Sequence, residues 1–149
     1  MNQSSIANIL DLAIGKELAA VKFYHKLMQQ ATSFEQMEAI RSIELMERKH
    51  AETLQQLKES NAIQKEAFQP SDLSLLDDQP EDDHQLPADF TALLLLAIKR
   101  EELAYQLYQQ LAQNSDDLHL KQLFQKLAHE ELKHKHHFEQ LYQQKSHIS

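Results

Sequence analysis

Four glutamates in this chain stand where a helix bundle would place leucine. The stripe Ile6, Leu10, Ala13, Glu17, Ala20, Tyr24, Leu27 advances in alternating steps of four and three, the spacing of one helix face turned toward a partner. Shifted by 84 positions, the same stripe returns as Phe90, Leu94, Ala97, Glu101, Ala104, Tyr108, Leu111. A second stripe, Ile40, Ile43, Glu47, His50, Leu54, Leu57, recurs at the same shift as Phe124, Leu127, Glu131, His134, Phe138, Leu141. Each half of the chain thus offers one glutamate and one Glu-x-x-His, all set in apolar surroundings.

Ionised carboxylates in a dry interface are costly, and four facing one another repel. Two divalent cations would balance four negative charges, and two neutral imidazoles would complete the donor set without disturbing that balance. This is the charge arithmetic of a dinuclear metal site. Within a Glu-x-x-His both side chains lie on one face about one turn apart and can reach the same ion. Glu47 and Glu131 are the natural bridges between two ions, with Glu17 and Glu101 each closing one. Carboxylate and imidazole donors suit Fe or Mn, and an incompletely filled shell leaves room for O₂ or peroxide. Two such ions are therefore the expected cofactor, with Fe, Mn and Zn not distinguished by the donors alone. Tyr24 and Tyr108 lie two turns beyond Glu17 and Glu101 on the same stripes, where each hydroxyl could hydrogen-bond a ligand carboxylate from outside. Ala20 and Ala104 leave space beside the ions and add no donor. Glu44, Glu102 and Glu130 flank the ligands and read as surface groups or outer partners, and His129, His136 and His137 as a solvated face.

The elements that must position these residues are legible in composition. One glycine and three prolines among 149 residues argue for long helices and few turns, and no alternating β-branched run suggests a strand. Four helices are predicted in two hairpins. The first starts near Ser4 or Ser5 and runs to about Gln30; the second is opened by the Ser33-x-x-Gln36 capping pattern and runs into the low sixties. The third starts between Pro87 and Asp89, and the fourth at Asn114 or Ser115 with Asp116 and Asp117 in its first turn. In an antiparallel hairpin, residues at one height are equidistant from the turn. The midpoint of Glu17 and Glu47 is position 32, and that of Glu101 and Glu131 is position 116, both at the turns inferred from capping residues. The acids of each hairpin therefore meet at one level. For the hairpins to face each other across a two-fold axis, the second and third helices must run parallel, so their connection must travel the length of the bundle. The proline-bearing, acidic stretch 67–86 is long enough to do so, and its Leu73, Leu75 and Leu76 would pin it. The expected organisation is a single all-α domain: hairpin 4–66, crossover 67–86, hairpin 87–147. Over positions 12–58 against 96–142, 13 of 47 aligned residues are identical without a gap, as in a duplicated hairpin.

Charge and composition exclude several functions. The net charge of −8 falls to −4 when four acids are set aside as ligands, leaving 19 acids against 15 bases, which disfavours nucleic acid and anionic lipid as partners. With no cysteine, the chain can hold no disulfide, thiolate nucleophile or cysteine-bound iron. The start MNQSSIANIL lacks the pattern of a signal peptide, and the longest apolar run, 92–98, is too short for a membrane span, so a cytoplasmic location is expected. The apolar excess around Leu93 to Leu96 suggests a homodimer, although packing of the third helix under the crossover would explain the same residues.

Through KELAAVKFY and MERKHAETL in the first half, and REELAYQLY and HEELKHKHH in the second, the chain resembles the ferritin-like superfamily, specifically a short rubrerythrin-type protein. The resemblance implies a ferritin-like four-helix bundle in which Glu17, Glu47, His50, Glu101, Glu131 and His134 are metal ligands and Tyr24 and Tyr108 bond to them. It implies oxidation of a di-iron(II) centre by peroxide or O₂, with an external electron donor restoring the reduced state. Rubrerythrins usually carry a cysteine-bound rubredoxin iron and a further glutamate where Ala104 stands; both are missing here, and the symmetric six-ligand set is closer to that of bacterioferritins. An iron-handling ferroxidase and a metal-free interaction bundle are the alternative expectations.

Overall fold

A computed structural model describes residues 4–60 and 89–147. They form four helices: α1 (Ser4–Gln29), α2 (Phe34–Glu59), α3 (Phe90–Gln113) and α4 (Leu118–His147). No strand occurs among the described residues. The predicted boundaries at 66/67 and 86/87, and the crossover with Leu73, Leu75 and Leu76, lie outside them.

Local chemistry sets the turns. Ser33 caps α2, its hydroxyl accepting from the Gln36 N–H at 3.1 Å. The Gln36 side chain reaches back one residue further than a capping box would place it, to the Thr32 N–H at 2.9 Å. Asp89 caps α3 through the Ala92 N–H at 3.2 Å. The predicted start of α4 at Asn114 or Ser115 is too early. Asn114 instead terminates α3, its side-chain amide donating to the Gln110 carbonyl at 2.8 Å, and the buried Ser115 hydroxyl donates to the Leu111 carbonyl. The first free N–H of α4 to be satisfied is that of Leu120, held by Asp117 Oδ1 at 3.0 Å. Asp117 is the repeat equivalent of Ser33, so the two hairpin turns are capped at matching positions. α2 ends at Glu59, earlier than expected, where the Ser60 hydroxyl and N–H both bond to the Leu57 carbonyl.

The core has two apolar layers. One joins the start of α1 (Ile6, Leu10, Ala13), the end of α2 (Leu54), the end of α3 (Leu107, Leu111) and the start of α4 (Leu120, Phe124, Leu127). The other joins the end of α1 (Phe23, Leu27), the start of α2 (Ile40, Ile43), the start of α3 (Phe90, Leu94, Ala97) and the end of α4 (Phe138, Leu141). These memberships fix the directions: α1 is antiparallel to α2 and α3, and α2 runs parallel to α3. The architecture is therefore the expected ferritin-like four-helix bundle of two antiparallel hairpins, and positions 60 and 89 lie at opposite ends of it. The apolar stretch at the start of α3 is mostly core: Leu93 and Leu94 are buried, Leu96 packs against the second layer, and only Leu95 is exposed. None of the described helices is long and apolar enough to cross a membrane.

Phe138 is fully buried in the second layer, with its ring 5.1 Å from that of Tyr24. Phe138→Ala should lower the unfolding free energy by about 3–5 kcal/mol, read from chemical denaturation of the metal-free protein.

Candidate metal centre

Between the two apolar layers all six sequence-selected donors converge. Glu17 enters from α1, Glu47 and His50 from α2, Glu101 from α3, and Glu131 and His134 from α4. The four glutamates and His50 are at most 2 % exposed; the His134 side chain is 12 % exposed. Donor atoms of Glu17, Glu47, His50 and Glu131 lie within 4.8 Å of one another, as do those of Glu47, Glu101, Glu131 and His134. Glu47 and Glu131 belong to both groups. The equal-height argument from the turn midpoints thus corresponds to the observed meeting of the acids.

Each imidazole turns Nδ1 inward. His50 Nδ1 lies 2.8 Å from Glu17 Oε2, 3.3 Å from Glu131 Oε1 and 3.4 Å from Glu47 Oε1. His134 Nδ1 lies 3.1 Å from Glu101 Oε1, 3.3 Å from Glu47 Oε1 and 3.4 Å from Glu131 Oε1. Without a metal, one ring proton per half is the cation available to three carboxylates. Each proton forms a hydrogen bond to its half's single glutamate, Glu17 or Glu101. Glu47 Oε1 and both oxygens of Glu131 are buried with no hydrogen-bond partner. Buried carboxylate oxygens left this way are expensive, and they are the ones that two neighbouring cations would share. The donor set therefore fits a pair of divalent ions.

Electrostatics point the same way. Two carboxylates within 4.8 Å repel by about 3.5 kcal/mol at an effective dielectric of about 20. Burial, then the charge of Glu47, pushes Glu17 and Glu101 up to about 8; burial, then Glu101, pushes Glu131 up to about 7. Glu47 is raised for the same reasons, burial first and Glu131 next. Burial works against a charged imidazole, yet the surrounding carboxylates of Glu131, Glu17 and Glu47 outweigh it at His50, which is raised. Glu101, Glu131 and Glu47 likewise raise His134 to about 12.

Outside this cluster, the structure separates residues that sequence reasoning left together. Tyr24 and Tyr108 are both buried, and burial followed by the charges of the clustered acids pushes both phenols well above 10; the Tyr24 hydroxyl has no hydrogen-bond partner. Glu130 lies behind His50, with Oε1 2.7 Å from Nε2. Glu102 is engaged by Lys135 Nζ at 2.9 Å, away from the donors. Glu44 is buried at the edge of the α2 stripe, with Oε1 3.5 Å from His25 Nδ1. Its i−3 spacing from Glu47 was the available signal for that burial. His129, His136 and His137 are exposed.

The pH dependence of the metal-free protein follows from these shifts. A carboxyl whose folded pKa is raised above about 4.5 stabilises the fold fully below that pH and loses the contribution as pH climbs through its folded value, here about 7 to 8. The two raised histidines act in the same sense, with stability present below about 6.5 and lost toward their folded values. The thermal midpoint of the metal-free protein should therefore fall steadily from pH 5 to pH 9 in a calorimetric series. A flat or rising trend would contradict the electrostatics described above.

Comparison with known proteins locates this arrangement. The rubrerythrin family model matches residues 92–147, the segment carrying Glu101, Glu131 and His134. A solved structure of a hypothetical protein from Pyrococcus furiosus is similar at 25 % identity and a TM-score of 0.71, over 96 % of this chain and 94 % of that one. No curated protein matches. The chain is thus rubrerythrin-like in its second hairpin and ferritin-like in the fold of its four helices.

Proposed function

We propose that this protein is a non-haem di-iron carboxylate protein, rubrerythrin-like, that oxidises bound Fe(II) with peroxide or O₂. One observation carries the reading: three oxygens of Glu47 and Glu131, buried and without a hydrogen bond, stand where two donor groups overlap. In this reading Glu47 and Glu131 would serve both ions, Glu17 with His50 would hold one, and Glu101 with His134 would hold the other, each histidine presenting an inward Nδ1. The chemistry supplied by two Fe(II) ions is a two-electron reduction, in which peroxide takes two electrons and two protons to give two waters and an external donor then returns the electrons.

The chain's own contribution is positioning, exclusion and proton placement. Apolar layers above and below the acids keep bulk water from the carboxylates and strengthen every interaction between them. The Tyr108 phenol stays neutral, its pKa held well above 10 by burial and then by the charges of Glu17, Glu131 and Glu47, so it keeps its proton beside the cluster. Peroxide or O₂ and an electron donor are the partners of this reading, in a cytoplasmic setting. Two copies of the chain pair in it, with Leu12, Leu18, Leu45 and Leu95 as exposed apolar side chains for the contact.

A second reading, an iron-handling ferroxidase, is favoured by Ala104. With alanine there, as at Ala20, the donor set is symmetric at three residues per half. The two readings differ in fate of the iron. Anaerobic loading with Fe(II), followed by stoichiometric peroxide, should give rapid oxidation of two ions per chain, with turnover when a reductant is supplied. Oxidation without turnover and accumulation of many irons per chain would favour ferroxidase instead. A metal-free interaction bundle would take up no ions and would melt at the same temperature with or without metal.

Glu47→Ala or Glu131→Ala should abolish binding of both ions, since each acid serves both positions; an equilibrium metal titration reads this directly. Retention of two ions per chain by either variant would overturn the bridging assignment. Metal uptake by the wild-type protein should also release protons from the raised carboxyls and histidines, measured by calorimetry in buffers of differing ionisation enthalpy.

A further inference from the structure

The 84-residue repeat makes each half a control for the other. On the inner side of the imidazoles the halves agree: each Nδ1 faces three carboxylates. On the outer side they differ. His50 Nε2 is 2.7 Å from Glu130 Oε1, whereas His134 Nε2 has no partner among the described residues. The repeat equivalent of Glu130 is Met46, which offers no carboxylate to the ring of His134. One further difference has the same sense. The His50 side chain is 3 % exposed and that of His134 is 12 % exposed.

We infer that Glu130 is a positioning residue that makes the two metal positions unequal, so that a divalent ion at Glu17 and His50 binds first and more tightly than one at Glu101 and His134. The inference rests on the dinuclear reading above and goes beyond it. A carboxylate on the outer nitrogen holds the proton at Nε2, leaves the Nδ1 lone pair free, locks the ring plane and makes the inner nitrogen more basic. A ring without that partner must lose orientational freedom and select its tautomer when it binds. Glu130 is not a donor to the ions, because it meets the ring on the side away from the carboxylate cluster. Its side chain is 22 % exposed, so solvent carries part of its charge and it does not become a fifth sequestered acid.

The test is a Co(II) titration of the metal-free protein, followed by visible absorption and calorimetry, with helical circular dichroism of each variant as a check on folding. Wild type should bind two Co(II) per chain in two resolved steps. Glu130→Ala should weaken the first step about 10- to 100-fold and leave the second within a few-fold, so that the steps merge. Glu130→Gln, which keeps an acceptor for the Nε2 proton, should recover part of the loss. Met46→Glu supplies the missing carboxylate in the other half and should tighten the second step alone. Equal steps in wild type, a uniform loss of both steps in Glu130→Ala, or an unchanged second step in Met46→Glu would each overturn the asymmetry while leaving the dinuclear reading intact. Failure of wild type to bind Co(II) at all would remove the dinuclear reading itself.

Discussion

The rest of this molecule is organised around the sequestration of four carboxylates at one level between two apolar layers. Most packed interiors avoid such an arrangement, because each acid loses hydration and gains like-charged neighbours. Two imidazolium protons offset half of the charge at most. Burial, and then the charge that remains, raises every carboxyl in the cluster, and oxygens of Glu47 and Glu131 are left without a hydrogen bond. The stability that permits this strain comes from the flanking layers, where residues such as Leu10, Leu94, Leu111 and Phe138 are almost wholly buried. The cluster therefore has the sign of charge and the donor set that would hold cations, and the fold meets the cost of assembling it.

Duplication explains how such a site is built from a short sequence. A hairpin with one Glu and one Glu-x-x-His places its acids at one height, since both are equally far from the turn. A second copy, packed with α1 antiparallel to α3, brings the second set to the same level. Divergence between the copies then acts around a conserved core geometry. Inner contacts of His50 and His134 match to within a few tenths of an ångström, whereas what stands behind each ring differs. Two similar halves can thus form a centre whose two positions are chemically distinct.

Much of this was legible in the residues. The stripes, the shift of 84 and the turn midpoints identified four helices, their pairing into hairpins and the six donors that converge. The errors were local. Asn114 and Ser115 are good capping residues, but here they end α3, and Asp117 takes the cap of α4. The repeat pointed to Asp117 through Ser33; ranking capping residues by type alone obscured it. At Leu93 to Leu96, read as a face for a second subunit or for the crossover, three of the four leucines also serve the core. A helix in a bundle with neighbours on two sides buries a wider arc than one stripe.

The sequence by itself determined which residues share a helix face and how far each lies from its turn, because helical periodicity and chain connectivity are local properties. These were enough to place the acids of each hairpin at a common height. Only the tertiary structure decided how the two hairpins address each other: that Tyr108 is buried within the field of Glu17 of the opposite hairpin, that Tyr24 is left without a partner, and that Glu130 meets His50 from behind. These contacts depend on the rotation of one hairpin against the other. That rotation is set by the summed packing of dozens of side chains, which no spacing along a single helix encodes.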